Sequence, residues 1–226
     1  MLAENEIAKR LQDVRDRIAH AATRARRRPD AIRLVLASKT QPAAAIRAAY
    51  EAGARDFGEN YIQEAAAKRA ELADLRDVTW HLIGHLQSNK TALAVGTFDV
   101  IQTLDSVRLA DAIGRLRPAP PMRALIEINL GGEANKSGIP ASEAQSLIEG
   151  ARDKTDIIGL MTIPPHTENA RRYFAELRTL RDRLAASSGL ALSELSMGMT
   201  EDFEVAIEEG ATMVRVGRAV FGERPA

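Results

Sequence analysis

The sequence predicts an α/β fold, a single (β/α)8 barrel of the TIM type with an extra helix at its N-terminus. Three observations predict it. Eight short apolar segments recur along the chain, each but the last followed by a stretch of helical periodicity, and successive strands start about 20 to 35 residues apart. These segments are near-continuous apolar runs, as expected of parallel strands buried on both faces. The turn after the first, Ala37-Ser38-Lys39-Thr40-Gln41-Pro42, has no glycine. An open doubly wound sheet, the competing architecture, carries a glycine-rich nucleotide turn there. Repeated right-handed βαβ crossovers close such a chain into a barrel. At 226 residues, 1–226 reads as one domain with no linker to divide it.

In chain order, Ile7, Leu11, Val14, Ile18, Ala21 and Ala25 form an apolar stripe, so residues 4 to 28 read as a helix that packs on the fold and ends at Pro29. The first strand is residues 32 to 39, with Lys39 at its carboxyl end, and Pro42 to Gly53 is an alanine-rich helix. The second strand lies around 56 to 60 and its helix spans 62 to 75. The third strand is 79 to 84, its helix 88 to 95. The fourth strand is 100 to 104, with Asp105 or Ser106 as the cap of the next helix. The proline-rich run Arg117 to Pro121 precedes the fifth strand, 123 to 130. A polar, glycine-containing loop, 131 to 138, and a helix from 142 to 152 lead to the sixth strand, 157 to 163. Phe174, Leu177, Leu180 and Leu184 mark the longest later helix. The seventh strand is 192 to 197, a helix from near Glu201 ends at Gly210, and the eighth strand is 212 to 216.

Bulk composition excludes several function classes. Thirty-one basic residues balance 31 acidic ones, so no global signature of nucleic-acid or anionic-membrane binding exists. The cluster Arg24, Arg26, Arg27 and Arg28 reads as a solvated helix end offsetting the helix dipole. There are no cysteines, which rules out disulfides, thiolate metal sites and cysteine nucleophiles. No secretory signal and no apolar run of membrane-spanning length is present, so a cytoplasmic protein is expected.

Barrels place chemistry at the carboxyl ends of their strands. Here those ends are polar: Lys39, then Glu59-Asn60-Tyr61, Gly84-His85, Asn129, Met161-Thr162, Ser196 to Thr200, and Arg215 to Arg218. The ends of strands seven and eight are where barrels commonly bind phosphate. Ser196-Met197-Gly198-Met199-Thr200 offers a small residue and a hydroxyl at a helix start, and Gly217 and Arg218 offer amides. The alternative is an N-cap threonine with a turn glycine. Arg215 shares a strand face with Gly217. Either an ion pair with an inward carboxylate such as Glu127 or a ligand heteroatom accounts for a guanidinium there. A strand-end amine, a phosphate cup and an arginine between them suggest pyridoxal phosphate, which needs a partner for its aldehyde, its phosphate and its ring nitrogen. His81, inside a strand, reads as a satisfied structural histidine, and His85 reads equally as structural or as a ligand contact. His20 and His166 have no assigned role, and the histidines lack metal-ligand spacing.

Five segments, Ala37-Ser38-Lys39-Thr40, Gly58-Glu59-Asn60-Tyr61, Trp80 to Lys90, Leu195 to Thr200 and Val214-Arg215-Val216-Gly217, closely resemble the pyridoxal phosphate homeostasis protein family, in order and over nearly the whole chain. The resemblance implies a barrel like the N-terminal domain of alanine racemase, with Lys39 holding the cofactor as an internal aldimine (a Schiff base). It implies Asn60, His85 and Ser196 as cofactor-binding residues in the pocket, and Thr200, Gly217 and Arg218 at the phosphate. Arg215 would face the pyridine nitrogen. Relatives often carry a small hydroxyl residue where this chain has Arg218, so a backbone amide is the expected contact there. The implied role is storing or delivering the cofactor, as a monomer, to pyridoxal phosphate-dependent apo-enzymes. The competing reading is a racemase or decarboxylase. An arginine at the ring nitrogen argues against that, as does a chain that ends shortly after strand eight without the added β-domain of such racemases.

Overall fold

The computed structural model describes residues 3–133, 136–165 and 169–223, so Ala134 and Asn135 of the glycine-containing loop, and His166, lie outside the described residues. After α1 (Glu4–Arg24), strands and helices alternate as β1 (Arg33–Ala37), α2 (Ala43–Glu51), β2 (Asp56–Glu59), α3 (Ile62–Glu71), β3 (Thr79–Leu82) and α4 (Thr91–Thr97). The pattern continues with β4 (Val100–Leu104), α5 (Val107–Arg115), β5 (Arg123–Glu127), α6 (Ala144–Ala151), β6 (Asp156–Met161) and α7 (Ala170–Ser188). It closes with β7 (Glu194–Ser196), α8 (Phe203–Glu208), β8 (Met213–Val216) and α9 (Arg218–Phe221). The strands form one closed barrel in sequence order, and every pairing is parallel, including β1 with β8. The expected barrel is the observed one.

Strand alternation divides the interior. Ile101, Ile126 and Leu160 join the large apolar layer between strands and helices. Their neighbours Val100, Leu125 and Met161 form a separate small cluster, on the opposite face of the sheet, inside the barrel. Gln102 and Glu127 continue that inward face two residues further along the same strands. The outer layer carries most of the stability, since each fully buried Leu, Ile or Phe contributes about 1.5–3 kcal/mol relative to exposure.

Helix α1 is part of this layer. Ile7, Leu11, Val14, Ile18 and Ala21 are buried as their spacing requires, against α2, α8 and α9. The arginines beyond it do more than solvate a helix end. Arg24 pairs with Glu208, and Arg27 Nη1 donates to the Ile207 carbonyl at 2.8 Å, so the segment fastens α1 to α8. Arg17 adds a bidentate contact to Glu204 and lies over the Phe203 ring. Of the two expected caps for α5, Ser106 is the one used: its hydroxyl accepts from the Leu109 amide. Most strands are shorter than expected at their carboxyl ends, which leaves Lys39, Asn60, His85 and Asn129 in loops past the last ladder residue.

Candidate functional site

A cavity of about 1020 Å³ opens at the carboxyl ends of the strands. Its lining brings together Lys39, Asn60, Thr200, Arg215, Gly217 and Arg218. A cleft of about 1180 Å³ lies at the opposite end, around Arg117 to Arg123, the face that in barrels serves stability rather than chemistry.

Lys39 is half-buried in the turn after β1. Asn60 follows β2, and its Oδ1 is a buried oxygen without a hydrogen-bond partner among the described residues. That is the atom type expected to meet a ligand donor. Thr200 lies in the turn before α8 and is not its cap. Asp202 has that position, and its carboxylate accepts from the Met199 amide at 2.7 Å. The Thr200 hydroxyl therefore is not committed to capping. A Cβ at Gly217 would lie 3.0 Å from the Ala37 carbonyl oxygen, so a bare backbone is what keeps β8 and β1 close at the cavity wall. The Arg218 side chain turns to Glu201 at 2.7 Å, in keeping with a role for its amide alone.

Arg215 is 4% exposed and is held from below. Its Nη1 donates to Ser196 Oγ at 2.7 Å and its Nη2 to the Thr162 carbonyl at 2.9 Å. These, not a hydrogen-bonded pair with Glu127, are its partners, and Glu127 acts on it only through charge. Burial pulls the guanidinium down to about 10, which leaves it a cation at neutral pH. Ser196 Oγ donates its own hydrogen bond to Gln102 Oε1 at 2.6 Å, and Gln102 Nε2 donates to His81 Nδ1 at 3.0 Å. That assignment puts the His81 proton on Nε2, facing Asp56 Oδ1 at 3.0 Å. Burial depresses the His81 pKa and favours this neutral form. A directed chain, Arg215 to Ser196 to Gln102 to His81 to Asp56, thus crosses the barrel interior with its buried groups satisfied. It makes His81 the structural histidine expected, and it places Ser196 beneath the cavity as the support of Arg215.

His85 is half-exposed, with a ring nitrogen 3.4 Å from an Asp105 oxygen, and it is not among the residues lining the cavity. Sequence reasoning missed Gln102, whose one signal was a polar residue at an inward position of an otherwise apolar strand. It also missed Arg171 and Asp202 at the cavity wall, which look like ordinary surface charges in sequence.

Glu127 is 5% exposed and its Oε2 has no hydrogen-bond partner among the described residues. Burial, with the nearby Asp105 charge, pushes its pKa from 4.5 up to about 7, against the opposing pull of Arg215. Because the folded state holds this proton more tightly than the unfolded chain, the group's cost is absent below about 4.5. It grows as pH rises to about 7 and is fully present above. Glu127→Gln is therefore expected to raise stability at pH 8 by roughly 2–3 kcal/mol, with the difference vanishing near pH 4.5. Urea melts of both proteins across that range check it, and a pH-independent difference contradicts it.

Comparison with known proteins shows the family. The family model for the alanine racemase N-terminal domain matches residues 10–225. The pyridoxal phosphate homeostasis protein of Pseudomonas aeruginosa is 44% identical over 222 residues, covering 96% of each chain. That of Aquifex aeolicus is 45% identical over 222 residues, covering 95% of this chain and 97% of the relative. The structure of PipY from Synechococcus elongatus, with PLP bound, matches at a TM-score of 0.83 and 39% identity, covering 96% of this chain and 100% of PipY. The chain belongs to the pyridoxal phosphate homeostasis protein family, within the wider alanine racemase N-terminal domain family.

Proposed function

We propose that the protein binds pyridoxal 5'-phosphate in the barrel mouth, covalently at Lys39, and stores or delivers it without substantial turnover of amino acids. The observation that carries this reading is the meeting of Lys39, Asn60, Thr200, Arg215, Gly217 and Arg218 in one cavity. The donor set suits the group. There are two primary amines, Lys39 at the end of β1 and Lys136 at the rim, a buried amide oxygen at Asn60 unpartnered among the described residues, and a wall at Gly217 where a side chain would crowd Ala37. When bound, the cofactor supplies an aldehyde, a phosphate and a pyridine ring.

Each residue then has a defined task. Lys39 offers the amine. Thr200 and the amides of Gly217 and Arg218 donate to phosphate oxygens, and the Asn60 amide lines the ring's side of the pocket. Arg215 presents only donors and stays charged, so a ring nitrogen facing it accepts a hydrogen bond and is not protonated. An unprotonated pyridine withdraws electrons weakly, which suits holding over catalysis. Apo-enzymes that use the cofactor are the implied recipients, and the expected working form is a cytoplasmic monomer. Among the described residues no helix is long and apolar enough to cross a membrane.

Thr200→Ala tests the phosphate assignment. Its loss removes a hydrogen bond to a charged group, worth roughly 1.5–3 kcal/mol. Affinity for pyridoxal phosphate is expected to fall about 10- to 100-fold, while affinity for pyridoxal, which lacks the phosphate, stays nearly unchanged. Absorbance titrations measure both. Equal losses would place the phosphate elsewhere.

A further inference from the structure

We propose that Glu59, Glu64 and Lys68 are positioning residues that clamp the backbone on both sides of Lys39 and so aim its amine into the cavity. The proposal rests on the reading of Lys39 as the cofactor-bearing residue. Its basis is a network of three linked charges that reaches the same three-residue turn from both sides. Lys68, at 7% exposure, uses all three ammonium donors: to the Ser38 carbonyl at 2.8 Å, to Glu59 Oε1 at 2.8 Å and to Glu64 Oε1 at 2.6 Å. Glu59 Oε1 also accepts from the Ser38 hydroxyl at 2.7 Å. Glu64 Oε1 also accepts from the Thr40 amide at 2.7 Å. Ser38 and Thr40, the two chain neighbours of Lys39, are thus each pinned by a charged group.

The backbone needs that restraint. Thr40 has a φ of 65°, a left-handed conformation that a β-branched residue disfavours and that persists only where its surroundings over-determine it. Ser38 is bonded at all its polar groups: its amide donates to Gly58, and its carbonyl also accepts from Gln41. Stability alone does not account for the charges. Glu59 is fully buried with Oε2 unpartnered among the described residues, and buried ion pairs are commonly no more stable than well-packed apolar residues of similar size. What the three charges accomplish together is a fixed course for Ser38-Lys39-Thr40. An amine that condenses with an aldehyde, releasing one water, gains rate from being held at the angle of attack.

The test uses the full chain and the variants Glu64→Ala, Glu64→Gln, Lys68→Met and Lys68→Arg. Three quantities are read: the rate of covalent adduct formation with pyridoxal phosphate, the affinity for pyridoxine 5'-phosphate, which has the ring and phosphate but no aldehyde, and the hydrogen exchange of the Thr40 amide without ligand. Glu64→Ala is expected to slow adduct formation by about tenfold or more and to speed Thr40 exchange, leaving pyridoxine phosphate affinity unchanged. Glu64→Gln, whose amide oxygen still accepts from Thr40, should recover most of the rate, as should Lys68→Arg relative to Lys68→Met. Lys68→Met strands a buried Glu59 and risks unfolding, whereas Glu64, with 28% of its side chain exposed, tolerates substitution and keeps the test decisive. Equal losses for both ligands, or an unchanged adduct rate in Glu64→Ala, overturn the clamp alone. A wild type that forms no adduct overturns the functional reading and the clamp with it.

Discussion

Lys39→Ala is expected to abolish the borohydride-trappable adduct with pyridoxal phosphate while the barrel unfolds at nearly the wild-type temperature. The side chain leaves a turn beyond the last ladder residue of β1, is half-buried, and sits among cavity walls rather than in the apolar layer. Its removal therefore costs little packing. It removes the one amine that the Ser38-to-Thr40 turn presents to the mouth. Lys136 also lines the cavity, in contact with Glu133 at 2.5 Å and the Pro164 carbonyl at 3.1 Å, and is the lysine to compare with Lys39. Trapping followed by mass spectrometry of the intact chain reads the outcome. A persistent adduct would transfer the role to another lysine, with Lys136 first to be mapped.

Gly159→Ala is expected to have the largest effect on stability without touching the cavity. A Cβ at this position would lie 1.9 Å from the Glu194 carbonyl oxygen and 2.6 Å from its carbon. Both are backbone atoms, which cannot swing aside as a flexible side chain would. Strands β6 and β7 must therefore separate at Gly159–Glu194, beside the pairing of Leu160 with Leu195 and Met161 with Ser196. Overpacking of this kind costs about 3 kcal/mol or more, equivalent to a fall in Tm on the order of 10 °C for a chain of this size. Because Ser196 and Thr162 hold Arg215, cofactor affinity should fall as well. Thermal melts and absorbance titrations check the pair of effects, and a wild-type Tm would contradict the close approach.

The sequence made the barrel legible because strands buried on both faces, helices with one apolar stripe and short connections are local patterns. The overrun at strand ends has a physical cause. Lys39, Leu130 and Ile163 continue runs that look like strand, but a ladder ends where its neighbours end, and that is a non-local fact. The mouth was legible too, since polar residues at the ends of apolar strands stand out, and Lys39, Asn60, Thr200, Arg215, Gly217 and Arg218 do meet there. What lay hidden was support. Lys68 looks like a surface lysine one turn from Glu64 until β2 and the Ser38 turn close over it. Gln102 is one polar letter in a strand, and its meaning depends on His81 and Ser196, residues 21 and 94 positions away. Thr200 read as a helix start, but the helix begins later, with Asp202 at the N-cap position and its carboxylate turned back to the Met199 amide.

Solvent deuterium incorporation into alanine tests the central claim, that the protein holds pyridoxal phosphate without turning over amino acids. Abstracting an α-proton for racemisation needs a base on each face and a ring that accepts the electrons. On the proposed reading Lys39 would serve at most one face and Arg215 would offer the ring nitrogen only donors, while His85 stands outside the cavity beside Asp105. Protein loaded with the cofactor and incubated with L- or D-alanine in deuterium oxide is predicted to retain its trappable adduct at Lys39 while incorporating negligible deuterium. Incorporation at the roughly 10 s⁻¹ typical of enzymes would contradict the account and make the protein a racemase.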